Sequence, residues 1–333
     1  MLLAKKTSTK ALTLAVDGMG GDHAPASVLA GMDKAFKANP NLSFLLFGPE
    51  SELAPLLVKY PKLAKVTTLT ATDVVVLATD KPTDALRRKR GSSMHLAAEA
   101  VKSGAADAAV SAGNTGAWMA IATLALRTAA GIDRPAIASF MPSPKGPVVM
   151  LDMGANIQCD ANNLVQFAGL GAAFYRQVTG VQAPTVGVLN IGSEDGKGKP
   201  ELNDAHATLK TGSLAYHGFV EGNDIMQGTV QVVVTDGFTG NVALKAIEGA
   251  AKGIKTFFTD AVKRSVLGWI GMLIAAPVLL GLKKKVDPRL YNGAVFLGLN
   301  GVVVKSHGGT DATGFATALA VAATVANDRK VSS

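Results

Sequence analysis

Residues 107–130 read DAAVSAGNTGAWMAIATLALRTAA. A short apolar run at 107–110 meets a loop of small and polar residues at 111–116 (SAGNTG), and an apolar helical pattern follows over 118–130. This order predicts a strand, a tight turn and a helix N-terminus, where backbone N–H groups and the helix dipole favour an anion. The same form recurs at 17–22 (DGMGGD), 152–156 (DMGAN), 190–198 (NIGSEDGKG), 236–241 (DGFTGN) and 305–309 (KSHGG). One such loop is an ordinary turn. Six along one chain predict a phosphate-centred small-molecule site at the carboxyl edge of a sheet.

The remaining chain fits around these loops. Strands are expected at 12–16, 43–47, 136–140, 148–151, 185–189, 231–235 and 302–304, and an extended stretch at 74–78. Helices are expected at 25–38, 92–103, 162–178, 242–258 and 312–326, with Pro25 opening one and Gly104 closing another. Strand and helix alternate over nearly the whole length, which predicts an α/β protein with a mostly parallel sheet and helices on both faces. No linker is evident, so residues 8–328 are expected to fold as one unit, with two lobes around a cleft as a variant of that arrangement.

Composition narrows the function classes. The 333 residues are 48% hydrophobic but only 5% aromatic, so Ala, Val, Leu and Ile make the core. A single cysteine excludes an internal disulfide framework and fits a reducing cytoplasm. The five histidines lack metal-ligand spacing, so no metal site is expected. Net charge is +8, which favours acidic partners. Helix-turn-helix, zinc-finger and RNP-type patterns are missing from the sequence, which argues against nucleic acid. The leading segment, with Lys5, Lys6 and Lys10, has no apolar core of a signal peptide, so no export is implied. DGMGGD does not supply the GxGxxG spacing of a dinucleotide site, which disfavours a nicotinamide dehydrogenase.

One stretch breaks the pattern. Residues 266–282 (VLGWIGMLIAAPVLLGL) carry no charge and are bracketed by Lys263, Arg264 and Lys283, Lys284, Lys285. As a helix they span about 26 Å, short of a hydrocarbon core of about 30 Å, and Pro277 interrupts them. An apolar helical hairpin near 255–285 is expected, with 264–285 an insertion in the α/β unit. It is either buried at a dimer interface or laid in one leaflet with its basic flanks on anionic lipid.

Several side chains stand out as site candidates. In SAGNTG, Gly113 lets the backbone approach a ligand, while Ser111, Asn114 and Thr115 add polar groups or cap the next helix. Asp17, Gly20 and Gly21 occupy the equivalent loop after the first strand, and Asn190 and Gly192 the loop after 185–189. Asp152, Gly154 and Asn156, and likewise Asp236, Gly237 and Asn241, either orient a ligand or cap a turn. Lys305 offers a fixed positive charge, and His307 a titratable ring that can donate to a leaving group or order the site. The basic run Arg87, Arg88, Lys89 and Arg90 either contacts an acidic ligand or partner or is a solvated face. Cys159 reads as a packing residue, and Asp22–His23 and Glu194–Asp195 as exposed polar loops.

Taken in order, SAGNTGA, RPAIASF, LDMGANIQCDANNLVQFA, VGVLNIGSEDGKGKPE, DGFTGNVALKAIEG and GLNGVVVKSHGGTDA resemble the phosphate acyltransferase family of bacterial phospholipid synthesis. The resemblance runs from LAVDGMGGD to the last helix. It implies a fold like isocitrate and isopropylmalate dehydrogenases and phosphotransacetylase. It also implies a homodimer, peripheral association with the inner membrane face, and transfer of a fatty acyl group from acyl carrier protein to inorganic phosphate, with no bound cofactor. The family pattern around DGF, GN and LK adds Lys245, one helical turn beyond Asn241, to the site.

The chemistry suits that inventory. Phosphate supplies the attacking oxygen and a thiol is a good leaving group, so no protein nucleophile is needed. The site must hold an anion, donate to the developing oxyanion and position both substrates. A phosphotransacylase using coenzyme A, and a non-catalytic membrane organiser that recruits acyl carrier protein, are the alternative expectations.

Overall fold

A computed structural model describes residues 11–332, with the side chains of 282–286 and 328–332 outside what it describes. Lys5, Lys6 and Lys10, and the side chains of Lys283, Lys284 and Lys285, therefore lie outside the described residues.

Among the described residues, one continuous sheet has 11 strands. Its strands are β1 (Leu12–Asp17), β2 (Leu42–Gly48), β3 (Thr67–Ala71), β4 (Ala108–Ser111), β5 (Ala136–Met141), β6 (Val148–Leu151), β7 (Val186–Leu189), β8 (Tyr216–Val220), β9 (Val232–Val234), β10 (Ala294–Leu297) and β11 (Val302–Lys305). Their spatial order is β3-β2-β1-β4-β11-β10-β5-β6-β9-β7-β8. Neighbours pair in parallel except at β11/β10, β10/β5 and β5/β6.

Alternation along each strand feeds two apolar layers. In β1, Leu12, Leu14 and Val16 face one layer and Ala15 the other; in β11, Val302 and Val304 oppose Val303. Helices Ala26–Ala38, Ala161–Thr179 and Ala312–Ser332 cover the first layer, and helices Ser93–Lys102 and Thr115–Leu126 the second. The mostly parallel sheet with helices on both faces is thus as expected. Small residues allow close packing: a Cβ on Gly31 would sit 2.9 Å from Phe315.

Three local readings are corrected. Residues 74–78 join no strand; they form an irregular segment packed ahead of the helix Pro82–Arg88. Most of DGFTGN is not loop: Asp236 caps a helix, Gly237–Lys263, whose first turn is that motif. Strands β3, β8 and β10 arise in stretches without a clear periodic signal; a glycine of positive φ lies within β8 (Gly218) and another immediately precedes β10 (Gly293).

The apolar segment forms the helix Val266–Val286, turned by 120° from the preceding helix Gly237–Lys263. Ser265 caps it, its hydroxyl accepting from Gly268 N at 3.1 Å. Val266, Leu267, Leu273, Ile274 and Val278 are all exposed, at 71–79%. Among the described residues no single helix is long and apolar enough to cross a membrane, although this bent pair passes that test together.

Candidate active site

The loops after β1, β4 and β11 interlock at one edge of the sheet. The Asp17 carboxylate is buried there and accepts from Ser93 Oγ and Ser111 Oγ, both at 2.6 Å, and from Met19 N at 3.2 Å. Ser111 Oγ in turn accepts from Gly113 N at 3.0 Å. Gly20 has no room for a side chain, since a Cβ would lie 2.5 Å from Gly113 N and 2.7 Å from Asp17 Oδ2. Gly21, at φ +105°, lets Asp22 N reach the Gly308 carbonyl at 2.9 Å.

Lys305 ends β11 and is 8% exposed. Its ammonium donates to the Ala112 carbonyl at 3.1 Å and to the carbonyl of Ser306. An ammonium has three donors, so one remains for a ligand. Burial pushes Lys305 down to about 8, against the pull of Asp17 and Asp22. Burial likewise pushes the Asp17 carboxyl up, opposed by its Ser111 and Ser93 hydrogen bonds. Both shifts have one cause, the exclusion of water from beneath the loops.

Above this buried pair the loops expose functional groups. Thr115 and Gly116 open the helix Thr115–Leu126 at the surface, and first-turn amides have no acceptor within their own helix. Asn114 caps that helix, accepting from Ala117 N at 3.0 Å. Its amide donates to the Ala78 and Asp80 carbonyls, each at 2.9 Å, so Asn114 fastens a neighbouring segment rather than offering donors to a ligand. His307 is exposed; its Nδ1 accepts from Gly309 N at 3.1 Å, which leaves the proton of a neutral ring on Nε2.

A second group of loops follows β6, β7 and β9. The Asp152 carboxylate accepts from Ile137 N, Gly154 N, Ala155 N, Asn156 N and Asn156 Nδ2 at 2.7–3.2 Å. Five donors fill it, so Asp152 organises its own loop; burial pushes its carboxyl up. Asn156 also donates to the Pro135 carbonyl at 2.8 Å and its own carbonyl accepts from Gly237 N at 2.8 Å. Asp236 accepts from Thr239 N at 2.7 Å and from Lys199 Nζ at 3.2 Å. Gly154, at φ +123°, lies against Asn241. Asn241 and Lys245 are exposed on the helix, and Lys245 pairs with Glu248 at 2.9 Å. Asn190 closes the 190–198 loop, donating to the Lys197 carbonyl at 3.0 Å, and Gly192 sits beneath the Lys197–Glu194 pair.

Strand direction separates the two groups. Three successive antiparallel pairings, β11/β10, β10/β5 and β5/β6, reverse β6, β7 and β9 relative to β1, β4 and β11. Asp17, Ser111 and Lys305 therefore emerge at one edge, and Asp152, Asn190 and Asp236 at the other. The expectation of one carboxyl edge carrying all six loops is corrected: within one chain there are two clusters of three.

Other candidates are also placed. Arg87 and Arg88 are exposed, but Lys89 is turned inward onto Asp80 at 2.6 Å and the Val75 carbonyl at 2.8 Å, so it leaves the basic surface. Cys159 is half-buried and its thiol is pushed up to about 12 by burial, as suits a packing residue. Asp22 and His23 are exposed, and Glu194 pairs with Lys197 at 2.7 Å. Among the described residues no group of acidic, His or Cys side chains could hold a metal.

Two residues were missed by sequence reasoning. Ser93 reads as an ordinary helix opener, yet its hydroxyl holds Asp17. Asn292 secures the KSHGG loop, donating to Ser306 Oγ and the Gly314 carbonyl, both at 2.8 Å, and accepting from His307 N at 2.9 Å. The only signal for Asn292 was its place in the short polar turn between the apolar helix and β10.

The architecture has solved counterparts. It aligns with a phosphotransacetylase from Staphylococcus aureus at TM-score 0.63 and 17% identity, covering 98% of this chain and 97% of that one. A 4-hydroxythreonine-4-phosphate dehydrogenase from Klebsiella pneumoniae aligns at TM-score 0.53 and 13% identity, over 94% and 98%. The fold is therefore that shared by phosphotransacetylases and these dehydrogenases.

Sequence places the chain more narrowly. The profile of the family described as "Fatty acid synthesis protein" matches residues 12–332. A phosphate acyltransferase of Rhodospirillum centenum is 54% identical over 311 residues, 93% of this chain and 88% of that protein. The chain belongs to the phosphate acyltransferase family, and it is an acyltransferase that acts with phosphate as acceptor.

Proposed function

We propose that the protein transfers a fatty acyl group from the thioester of acyl carrier protein to inorganic phosphate, giving acyl phosphate for phospholipid synthesis. The observation that carries this reading is the buried Lys305 ammonium, with one N–H unused, under an edge that exposes a helix N-terminus and the His307 ring. Phosphate is held there by Lys305 and by the amides at Thr115 and Gly116. Its oxygen attacks the thioester carbonyl carbon, and the C–S bond breaks. The proton released by hydrogen phosphate ends on the thiol sulfur, with His307 Nε2–H stabilising charge on oxygen or sulfur during the transfer.

Fatty acid synthesis as the family's description supports a carrier-protein donor over coenzyme A. A homodimer on the cytoplasmic face of the membrane accounts for the uncovered helix Val266–Val286, because an apolar surface of that extent calls for a partner or lipid.

The test is a reaction of purified protein with palmitoyl-acyl carrier protein and phosphate, following free carrier thiol and acyl phosphate trapped by hydroxylamine. Phosphate-dependent appearance of both products is expected. Turnover with palmitoyl-coenzyme A alone would replace the donor, and binding to carrier or vesicles without turnover would leave an organiser.

A further inference from the structure

The sequence KPTDALRRKR at 81–90 holds five cations and one acid. Its structure sorts them. The helix Pro82–Arg88 keeps Ala85 in the core and presents Arg87 and Arg88 outward, with Lys81 and Arg90 exposed at its ends. Arg88 is 81% exposed and only loosely paired with Asp84 at 3.8 Å, whereas Lys89 is 25% exposed and committed to Asp80. Four cations thus remain on one short exposed element.

This element is fastened to the phosphate edge on both sides. On its N-terminal side, the Asn114 amide of the SAGNTG loop grips the Ala78 and Asp80 carbonyls at 2.9 Å. The Pro82 ring fits against Gly116 so closely that a Cβ there would lie 2.9 Å from Pro82 Cγ. On its C-terminal side, Ser93 follows Arg90 by three residues and donates to Asp17 at 2.6 Å. Lys89 draws the segment closed on Asp80 and the Val75 carbonyl, and Thr72 Oγ1 donates to the Gly91 carbonyl at 2.7 Å. A solvated surface helix needs none of these ties. They hold the cations at the rim of the same loops that carry Asp17, Asn114 and Gly116.

We infer that the helix Pro82–Arg88, with Lys81 and Arg90, is the docking surface for the acidic protein that delivers the thioester. The inference rests on the carrier-protein reading of the donor. Charge selects the partner: a positive rim attracts an acidic surface and guides it into register, while the pantetheine arm runs past Gly116 to the phosphate. Rim charges act on encounter and affinity, so they set KM for the large donor and leave the chemical step alone.

The experiment compares two donors of the same acyl group, acyl carrier protein and an uncharged pantetheine thioester, in the wild type and in the double variant Arg87→Glu, Arg88→Glu. Both substituted positions are exposed, and unchanged melting confirms folding. KM for the carrier thioester is expected to rise about tenfold or more, with kcat within about twofold and with kcat/KM for the pantetheine thioester unchanged. The wild-type dependence of kcat/KM on salt should flatten in the variant. An unchanged carrier KM overturns the docking surface, as does an equal loss with both donors. Wild-type turnover of the pantetheine thioester but not of the carrier thioester instead overturns the donor reading, and the docking surface with it.

Discussion

The Ser93 hydroxyl donates to the Asp17 carboxylate at 2.6 Å across 76 positions of sequence, joining the start of a helix to the end of β1. With Ser111 on the other oxygen, it keeps a buried acid oriented beneath the loops after β1, β4 and β11. Ser93→Ala leaves that oxygen with Met19 N alone. A loss of about 1–3 kcal/mol in stability is expected by denaturant titration, because a buried acceptor loses a partner. Ser93→Thr, which keeps the hydroxyl, should recover most of it.

Lys305→Met should lower turnover about a hundredfold, the usual scale for removing one charged or oxyanion-binding donor. Stability should behave otherwise. Burial holds Lys305 near 8 in the folded protein, below its ordinary value of 10.5. The unfolded chain therefore binds that proton more tightly, so folding is penalised below pH 8 and the penalty fades as pH rises toward 10.5. Met removes the penalty but also two hydrogen bonds, so melting at pH 7 should change little while activity collapses.

The same shift sets a pH profile. As pH rises through about 8 the Lys305 ammonium loses its charge, and kcat/KM for phosphate should fall. Measured against pH with a saturating thioester, this descending limb should vanish in Lys305→Met. A limb that persists there would assign it to another group.

Gly20→Ala tests the interlocking of the loops. Its Cβ would meet Gly113 N, Asp17 Oδ2 and Ser111 Oγ at 2.5–2.9 Å, so the loops after β1 and β4 must separate. A cost of about 1–3 kcal/mol and a marked loss of turnover are expected. Gly104→Ala is the control: a Cβ there meets nothing within 4 Å, although its φ of +77° carries a smaller backbone cost.

Leu273→Glu with Ile274→Glu addresses the uncovered helix, where both residues are more than 70% exposed. Vesicle flotation should be lost while turnover in solution survives, because the charges oppose insertion of an apolar face into lipid. Dissociation or unfolding, read by light scattering and circular dichroism, would identify the helix as an interface between subunits.

Much of this was legible in the chain. The 111–116 turn is legible between its strand and helix, although the helix begins at Thr115 and ends at Leu126, earlier than the periodicity indicates. Lys305 stands out in the sequence as a fixed positive charge closing an apolar strand beside glycines. The partners that hold it do not: Ala112 stands 193 positions away and offers only a carbonyl, a group every residue carries. Ser93 and Asn292 were invisible for the same reason, because their side chains bond to groups that only folding brings near.

The sequence by itself determined the alternating architecture, the two apolar layers, the polar loops and the family, because periodicity, turn residues and motif order are local properties of the chain. Only the tertiary structure decided that those loops form two clusters rather than one, that Lys89 turns inward while Arg88 stays out, and that Asn114 fastens the basic helix to the site. A parallel strand and its reversed neighbour have the same hydrophobic pattern, so strand direction, and with it the edge on which each loop emerges, is fixed by pairing across the sheet.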